Sequence, residues 1–235
     1  MDSAFGNSRR PADDEHWMSI SDLMSGLMIV FLFIAIAMMY YVRIEKERIE
    51  EIAIAYRNTQ VSLYNDLVGA LGPDLPAWQA EIDKETLEVR FLNPELLFEP
   101  GRANMRQPFR QVLDSFVPRY LEVIKKYRMD IEEIRVEGHT SSDWSGARDA
   151  DSAHFYNMAL AQDRTREVLL YLNNLTSDSR DRAWIREKVS AVGYSSSRPV
   201  RNKDGSEDAE RSRRVAFRVI TNSEIQIRKI INDIP

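Results

Sequence analysis

From Ile20 to Val42 the chain reads ISDLMSGLMIVFLFIAIAMMYYV, 23 residues in which Asp22 is the one charged side chain. Wound as a helix, this stretch is about 34 Å long, enough to cross a hydrocarbon core of about 30 Å. The pattern predicts a transmembrane helix over residues 17–42, preceded by a tail over 1–16. A cleavable signal peptide ending at Ala35-Ile36-Ala37 is the rival reading. Against it, the apolar run continues to Val42 without a helix breaker, and the preceding PADDEH is acidic where a signal carries positive charge. Arg9-Arg10 has no apolar core directly behind it, so a twin-arginine signal fits less well still.

Beyond the apolar run the periodicity changes. Residues 43–83 read as a helical linker: no proline occurs between 43 and 71, and Ile49, Ile52, Tyr56, Thr59 and Leu63 follow at steps of three and four. That spacing fits either a seam between two copies or a helix lying on its own domain. Gly72-Pro73 should end the helix, and Pro76 with Trp78 opens a new unit. Residues 84–222 then alternate between periods of two and of 3.6. Strands are predicted at Leu87–Leu92, Ile131–Glu137, Val189–Tyr194 and Arg214–Ile220, with helices over Met105–Arg128 and His154–Leu175. This is an α/β sandwich, with parallel pairing where a long helix joins two strands. Residues 223–235 remain as a C-terminal tail.

Composition narrows the chemistry. The 235 residues contain no cysteine and three histidines, which removes disulfides, thiolate zinc sites and cysteine catalysis and leaves little for a metal site. A net charge of -5 argues against nucleic-acid binding. The mean hydropathy of -0.42 is that of a mostly soluble chain, because the apolar residues are concentrated near one end.

Asp22 is therefore costly: a carboxylate at the centre of a membrane helix is penalised by about 2.5–3.5 kcal/mol, and such a group is a functional hypothesis by default. Position alone allows a second reading. Trp17 is a candidate interface anchor five residues earlier, so Asp22 could reach the headgroups or, like Ser19 and Ser21, cap the helix. Ser25 and Gly26, one turn on, make a small-residue face on which another helix approaches closely, which turns Asp22 toward protein.

The stretch Trp17-Met18-Ser19-Ile20-Ser21-Asp22-Leu23-Met24-Ser25-Gly26-Leu27-Met28 resembles the start of the single transmembrane helix in MotB, the stator subunit of bacterial flagellar motors, where the aspartate carries the coupling ion. The step from tryptophan to aspartate is one residue shorter here. The resemblance implies an inner-membrane, single-pass homodimer with its N-terminus in the cytoplasm. It also implies a ring of five copies of a multi-spanning MotA-like partner, called ZorA in defence systems, around two copies of this chain. Proton or sodium is the coupling ion; a lone carboxylate suffices for a proton. Counting charges gives the opposite orientation. Arg9 and Arg10 precede the helix, whereas Arg43, Lys46, Arg48 and Arg57 follow it, and the positive-inside rule then places the C-terminus in the cytoplasm. The resemblance places that domain in the periplasm, and long domains translocate largely regardless of charge.

Four segments in order resemble the OmpA-like peptidoglycan-binding domain. They are Leu97-Phe98-Glu99-Pro100-Gly101-Arg102-Ala103, Val136-Glu137-Gly138-His139-Thr140, the helix residues Tyr156-Asn157, Leu160 and Arg164, and Ser212-Arg213-Arg214-Val215-Ala216-Phe217. The resemblance implies that Arg164 grips the free carboxylate of diaminopimelate in the peptide stem, with Asn157 orienting the pocket, Leu160 supporting it and Tyr156 counted among the peptidoglycan-binding residues. A planar guanidinium suits that task because it makes two charge-assisted bonds at once. The bland alternative for Arg164 is an ion pair with Asp163 or Glu167. Ser141 stands where the family has the aspartate for the ligand ammonium, and the loop from Ser141 to Phe155 is longer than the family's. Asp143 is chosen over Asp149 and Asp151 to replace that acid. Trp144 is either a sugar or protein contact or a loop aromatic covering the sheet.

His139 reads as a structural histidine, since no serine or carboxylate stands at triad spacing. Glu137 with Asp143 could be drawn as a glycosidase pair, but Glu137 belongs to the strand-end signature, so no hydrolysis, catalytic residue, cofactor or metal is expected. The membrane motif and long loop resemble ZorB of the Zorya anti-phage defence systems more than a flagellar stator. A flagellar stator, a passive peptidoglycan tether and a wall hydrolase are the rivals.

Overall fold

A computed structural model describes residues 12–232, apart from the side chains of residues 12–19, 94 and 95. The expectations for Arg9, Arg10, Trp17 and Ser19 lie outside the described residues. The chain divides into two compact units, Met1–Glu51 and Ile52–Pro235.

The first unit is helical. Helix α1 runs over Ala12–Leu71 without a proline, and every side chain from Ile20 to Val42 is exposed along it. It is the one helix, among the described residues, long and apolar enough to cross a membrane. After the apolar run, Arg43 pairs with Glu47 at 2.9 Å and Lys46 with Glu50 at 3.4 Å, one helical turn apart.

The second unit begins well before residue 84, where the sequence had placed the domain. Leu63, Leu67 and Leu71 on the last turns of α1 are completely buried, so the four-residue apolar step of the helix packs on the domain itself. Gln60 reinforces this by donating to the carbonyl of Lys84 at 3.0 Å. Gly72 and Pro73 then end α1 in a tight 3-10 turn, and α2 (Leu75–Trp78) leads into β1 (Ala80–Ile82).

The remaining elements are β2 (Glu88–Phe91), α3 (Pro94–Leu97), α4 (Gln107–Lys126), β3 (Ile131–His139), α5 (Ala150–Leu175), α6 (Ser179–Lys188), β4 (Val189–Ser195), α7 (Ala209–Ser212), β5 (Arg214–Thr221) and α8 (Asn222–Asn232). The sheet order is β1-β2-β5-β3-β4. All pairs are antiparallel except β3 with β4, which α5 and α6 connect. Beyond the expected strands the structure adds β1, and α6 and α8 extend the helical content; α8 continues the domain past residue 222.

Strand alternation sorts the sheet into two faces. Val89, Phe91, Ile134, Val136, Val215, Phe217 and Val219 join the core with Phe109, Phe116, Tyr120 and Ile124 of α4. The Phe116 ring meets Phe91 at 5.2 Å and Phe217 at 4.9 Å. Helix α5 closes on β3 and β4 through two glycines. A Cβ on Gly138 would stand 2.7 Å from Thr165 Cγ2 and 2.8 Å from the Ala161 carbonyl, and one on Gly193 would stand 2.6 Å from the Gln162 backbone nitrogen. Glycine at 138 is thus a packing requirement.

Candidate peptidoglycan-binding site

The cleft lies at the sheet end where β3 finishes and β5 starts, opposite the end where Gln60 of α1 meets Lys84. Three loops build it. After β3, the Thr140 N–H donates to the Ser195 carbonyl at 2.9 Å, and the Ser142 N–H donates to Glu207 at 3.1 Å. The loop then turns at Gly146, whose φ of 85° suits glycine, and reaches α5, where Asp149 accepts from the Ser152 N–H at 2.7 Å as the N-cap. A second loop, between α3 and α4, is pinned by a bridge between Phe98 and Met105. The third is the approach to β5.

Together they enclose about 490 Å³, lined by Phe98, Pro100, Gly101, Thr140, Ser141, Asp143, Trp144, Ser145, Asn157, Leu160, Arg164 and Arg213. Of the residues singled out by resemblance, Asn157, Leu160, Arg164 and Asp143 line this one cleft. Asn157 is buried and donates from Nδ2 to the Asp143 carbonyl at 3.1 Å, so it fixes the backbone of the loop. Tyr156 is half exposed and lies outside the cleft wall, with its ring 5.5 Å from that of Trp144. Asp149 is occupied as a helix cap, and Asp151 is an exposed residue of the first turn of α5.

Arg164 is held from below. Its Nε donates to the Arg102 carbonyl at 2.9 Å and Nη2 to the Glu99 carbonyl at 3.3 Å, and the guanidinium lies over the Phe98 ring at 4.8 Å. The ion pair with Asp163 or Glu167 does not form, because those carboxylates turn to Arg166 at 3.3 and 3.8 Å. Among the described residues, no carboxylate pairs with Arg164. Burial, followed by the neighbouring Arg213 charge, pushes its pKa down to about 10. It is still a cation at neutral pH, one whose charge the protein does not balance.

His139 and Glu137 sit apart on the polar face of the sheet. His139 Nε2 is 3.4 Å from Glu137 Oε2, both residues are buried, and the imidazole stacks on Tyr194 at 5.2 Å. Burial pushes the His139 pKa below its ordinary value, outweighing the attraction of Glu137. Burial pulls Glu137 the other way, but the His139 hydrogen bond, with Arg218 and Arg198, leaves its pKa below the ordinary carboxylate value. This is a packed polar pair within the sheet.

Arg213 and Thr140 are cleft residues that the sequence does not single out for binding, and Ser141, at the position discussed for the missing acid, lines the cleft as well. The signal for Arg213 was present: the strand begins at Arg214, so the first of the two arginines falls in the loop beyond it.

The relationship to known proteins is close at the level of sequence. Over 235 aligned residues the chain is 52% identical to the Zorya protein ZorB of Escherichia coli strain ATCC 8739, covering 99% of this chain and all of the relative. The chain belongs to the ZorB family. Within this ZorB-family chain, residues 97–213 match the OmpA family. The fold is shared with the crystal structure of a MotB-like protein from Desulfovibrio vulgaris. That match has a TM-score of 0.51 and 21% identity, and it covers 73% of this chain and 94% of the other. All four lining residues that the sequence reading had singled out fall inside the OmpA match.

Proposed function

We propose that this chain is a stator-like subunit of a Zorya defence system, crossing the inner membrane once and gripping peptidoglycan through the cleft around Arg164. The N-terminus is cytoplasmic and the C-terminal domain periplasmic. Two copies stand within a ring of a multi-spanning MotA-like partner, and Asp22 takes up and releases the coupling ion, a proton in the simplest case.

The observation that carries the anchor half is the Arg164 guanidinium, oriented by two carbonyls and an aromatic face, with no carboxylate paired to it among the described residues. A diaminopimelate terminus supplies the missing carboxylate, and its ammonium finds Asp143 in the same cleft wall. The motor half rests on the relationship to ZorB and on the lone carboxylate of the apolar run. A carboxyl enclosed by protein protonates readily and ionises again where its surroundings are wetter. One elementary charge crossing the membrane potential releases about 2.3 kcal/mol per 100 mV, enough to bias a mechanical step.

The test is ion flux through membrane vesicles carrying this chain with its partner subunit, under separate proton and sodium gradients. Asp22→Asn should abolish the flux while the complex still assembles. Flux unchanged by that substitution would leave a passive tether. Release of soluble fragments from peptidoglycan by the purified full-length chain would instead restore the hydrolase.

A further inference from the structure

One aromatic residue of the cleft wall has no part in the peptide contacts described above. Trp144 lines the cleft and is partly buried, and its backbone is tied on both sides. The Asp143 carbonyl accepts from Asn157 Nδ2 at 3.1 Å, and the Trp144 carbonyl itself accepts from the Ala147 N–H at 3.2 Å. The Tyr156 ring, 52% exposed, packs against the indole at a tilt of 34° with centroids 5.5 Å apart. The indole is thus held beside the cleft before any ligand arrives. Ser145, the next residue, lines the same wall and is exposed. An aromatic face flanked by a hydroxyl is a surface that a pyranose ring fits: its C–H face meets the negative π cloud while its rim hydroxyls hydrogen-bond.

Spacing along α5 says how a sugar would reach it. Asn157, which fixes the Trp144 loop, and Arg164 are both on α5, separated along its axis by a rise of about 10 Å. In a peptidoglycan stem two residues separate diaminopimelate from the lactyl group of the muramyl sugar, an extended reach of about 7 Å. The diaminopimelate side chain, between its backbone and the carboxylate that Arg164 takes, adds the remainder. A stem anchored at Arg164 and running toward the start of α5 therefore delivers its sugar to Trp144. We propose that Trp144, backed by Tyr156, is a platform for the muramyl sugar that carries the stem peptide. The inference rests on the peptidoglycan reading and extends it from peptide to glycan: the cleft distinguishes stems still attached to the glycan strand from peptides cut away from it.

The test is calorimetry of the full-length chain in detergent with two ligands, an N-acetylated stem tripeptide and the same tripeptide carried on N-acetylmuramic acid. Both keep the diaminopimelate zwitterion. The wild-type chain should bind the muramyl tripeptide about tenfold more tightly, a difference of about 1.4 kcal/mol. Trp144→Ala should bring the muramyl ligand down to the affinity of the tripeptide, whose own binding stays unchanged, and Trp144→Phe should retain part of the gain. Phe155→Ala is the control. That ring is 70% exposed but stands one residue, and so about 100°, round the helix from Tyr156, and its removal should leave both affinities as they are.

If the wild-type chain binds the two ligands equally, or if Trp144→Ala weakens both alike, the sugar platform does not exist. A loss on Phe155→Ala as large as that on Trp144→Ala would remove the assignment as well. Absence of tripeptide binding by the wild-type chain would instead remove the peptidoglycan reading beneath it, an outcome separate from loss of the sugar's contribution alone.

Discussion

The Arg164 guanidinium lies 4.8 Å from the centre of the Phe98 ring and is anchored by the carbonyls of Arg102 and Glu99 from the same loop. Phe98 therefore joins the loop that opens the OmpA match to the helix that carries the arginine. The cation is oriented before any ligand arrives, so less ordering remains for binding to impose.

Arg164→Ala should reduce retention on isolated sacculi at least tenfold, since a charge-assisted pair contributes about 1.5–3 kcal/mol. Stability should change little. The cation–π contact, about 0.5–2 kcal/mol, is lost, but so is the cost of burying an unbalanced charge. Arg164→Lys should not restore binding, because an ammonium lacks the planar fork. Pull-down and thermal melting of the same three chains check both statements.

Gly138→Ala should destabilise the domain by about 1–3 kcal/mol, the range for overpacking. The added methyl would meet both Thr165 and the backbone carbonyl of Ala161, so α5 must move away from β3. Arg164 and Asn157 are on α5, and sacculus binding should weaken as well. Chemical denaturation with a parallel binding assay tests the pair of effects.

The α1 packing makes a prediction about boundaries. Leu67→Ala should cost about 2–5 kcal/mol, as for other fully buried leucines. A soluble fragment starting at residue 84 should be markedly less stable than one starting at residue 52, because the former lacks Leu63, Leu67 and Leu71. Comparing the two fragments in urea settles it.

Acid should act in two steps. Both His139 and Glu137 have folded pKa values below their ordinary ones of 6.5 and 4.5. The unfolded chain therefore binds protons first, and stability is lost as pH falls. The His139 contribution is fully present above about pH 6.5 and declines below it. The Glu137 contribution declines below about pH 4.5, where Asp83 and Glu133, also held low, add to the loss. Melting temperature measured from pH 8 to pH 4 should show the first decline disappear in His139→Asn.

Much of this was legible in the sequence, for identifiable reasons. The apolar run and its single aspartate stand out from composition alone, and the strands β2, β3, β4 and β5 fall within a residue or two of the segments that the sequence predicts. Arg164 and Asn157 were legible through their order in the OmpA-like segments. The domain's start was not, because Leu63, Leu67 and Leu71 continue a spacing that suits a coiled-coil seam equally well; only tertiary packing separates the two. Tyr156 was grouped with Asn157 by adjacency, yet consecutive helical residues point about 100° apart, and the structure turns its ring to Trp144. Arg213 was hidden inside a strand signature whose first residues precede the strand.

The most direct measurement of the central claim is phage plating efficiency on cells carrying this chain with its neighbouring genes, wild type against Asp22→Asn, at matched protein abundance and matched sacculus binding. Protection should be lost in the asparagine variant. Full protection with asparagine at position 22 would contradict ion-driven action and leave only the wall anchor.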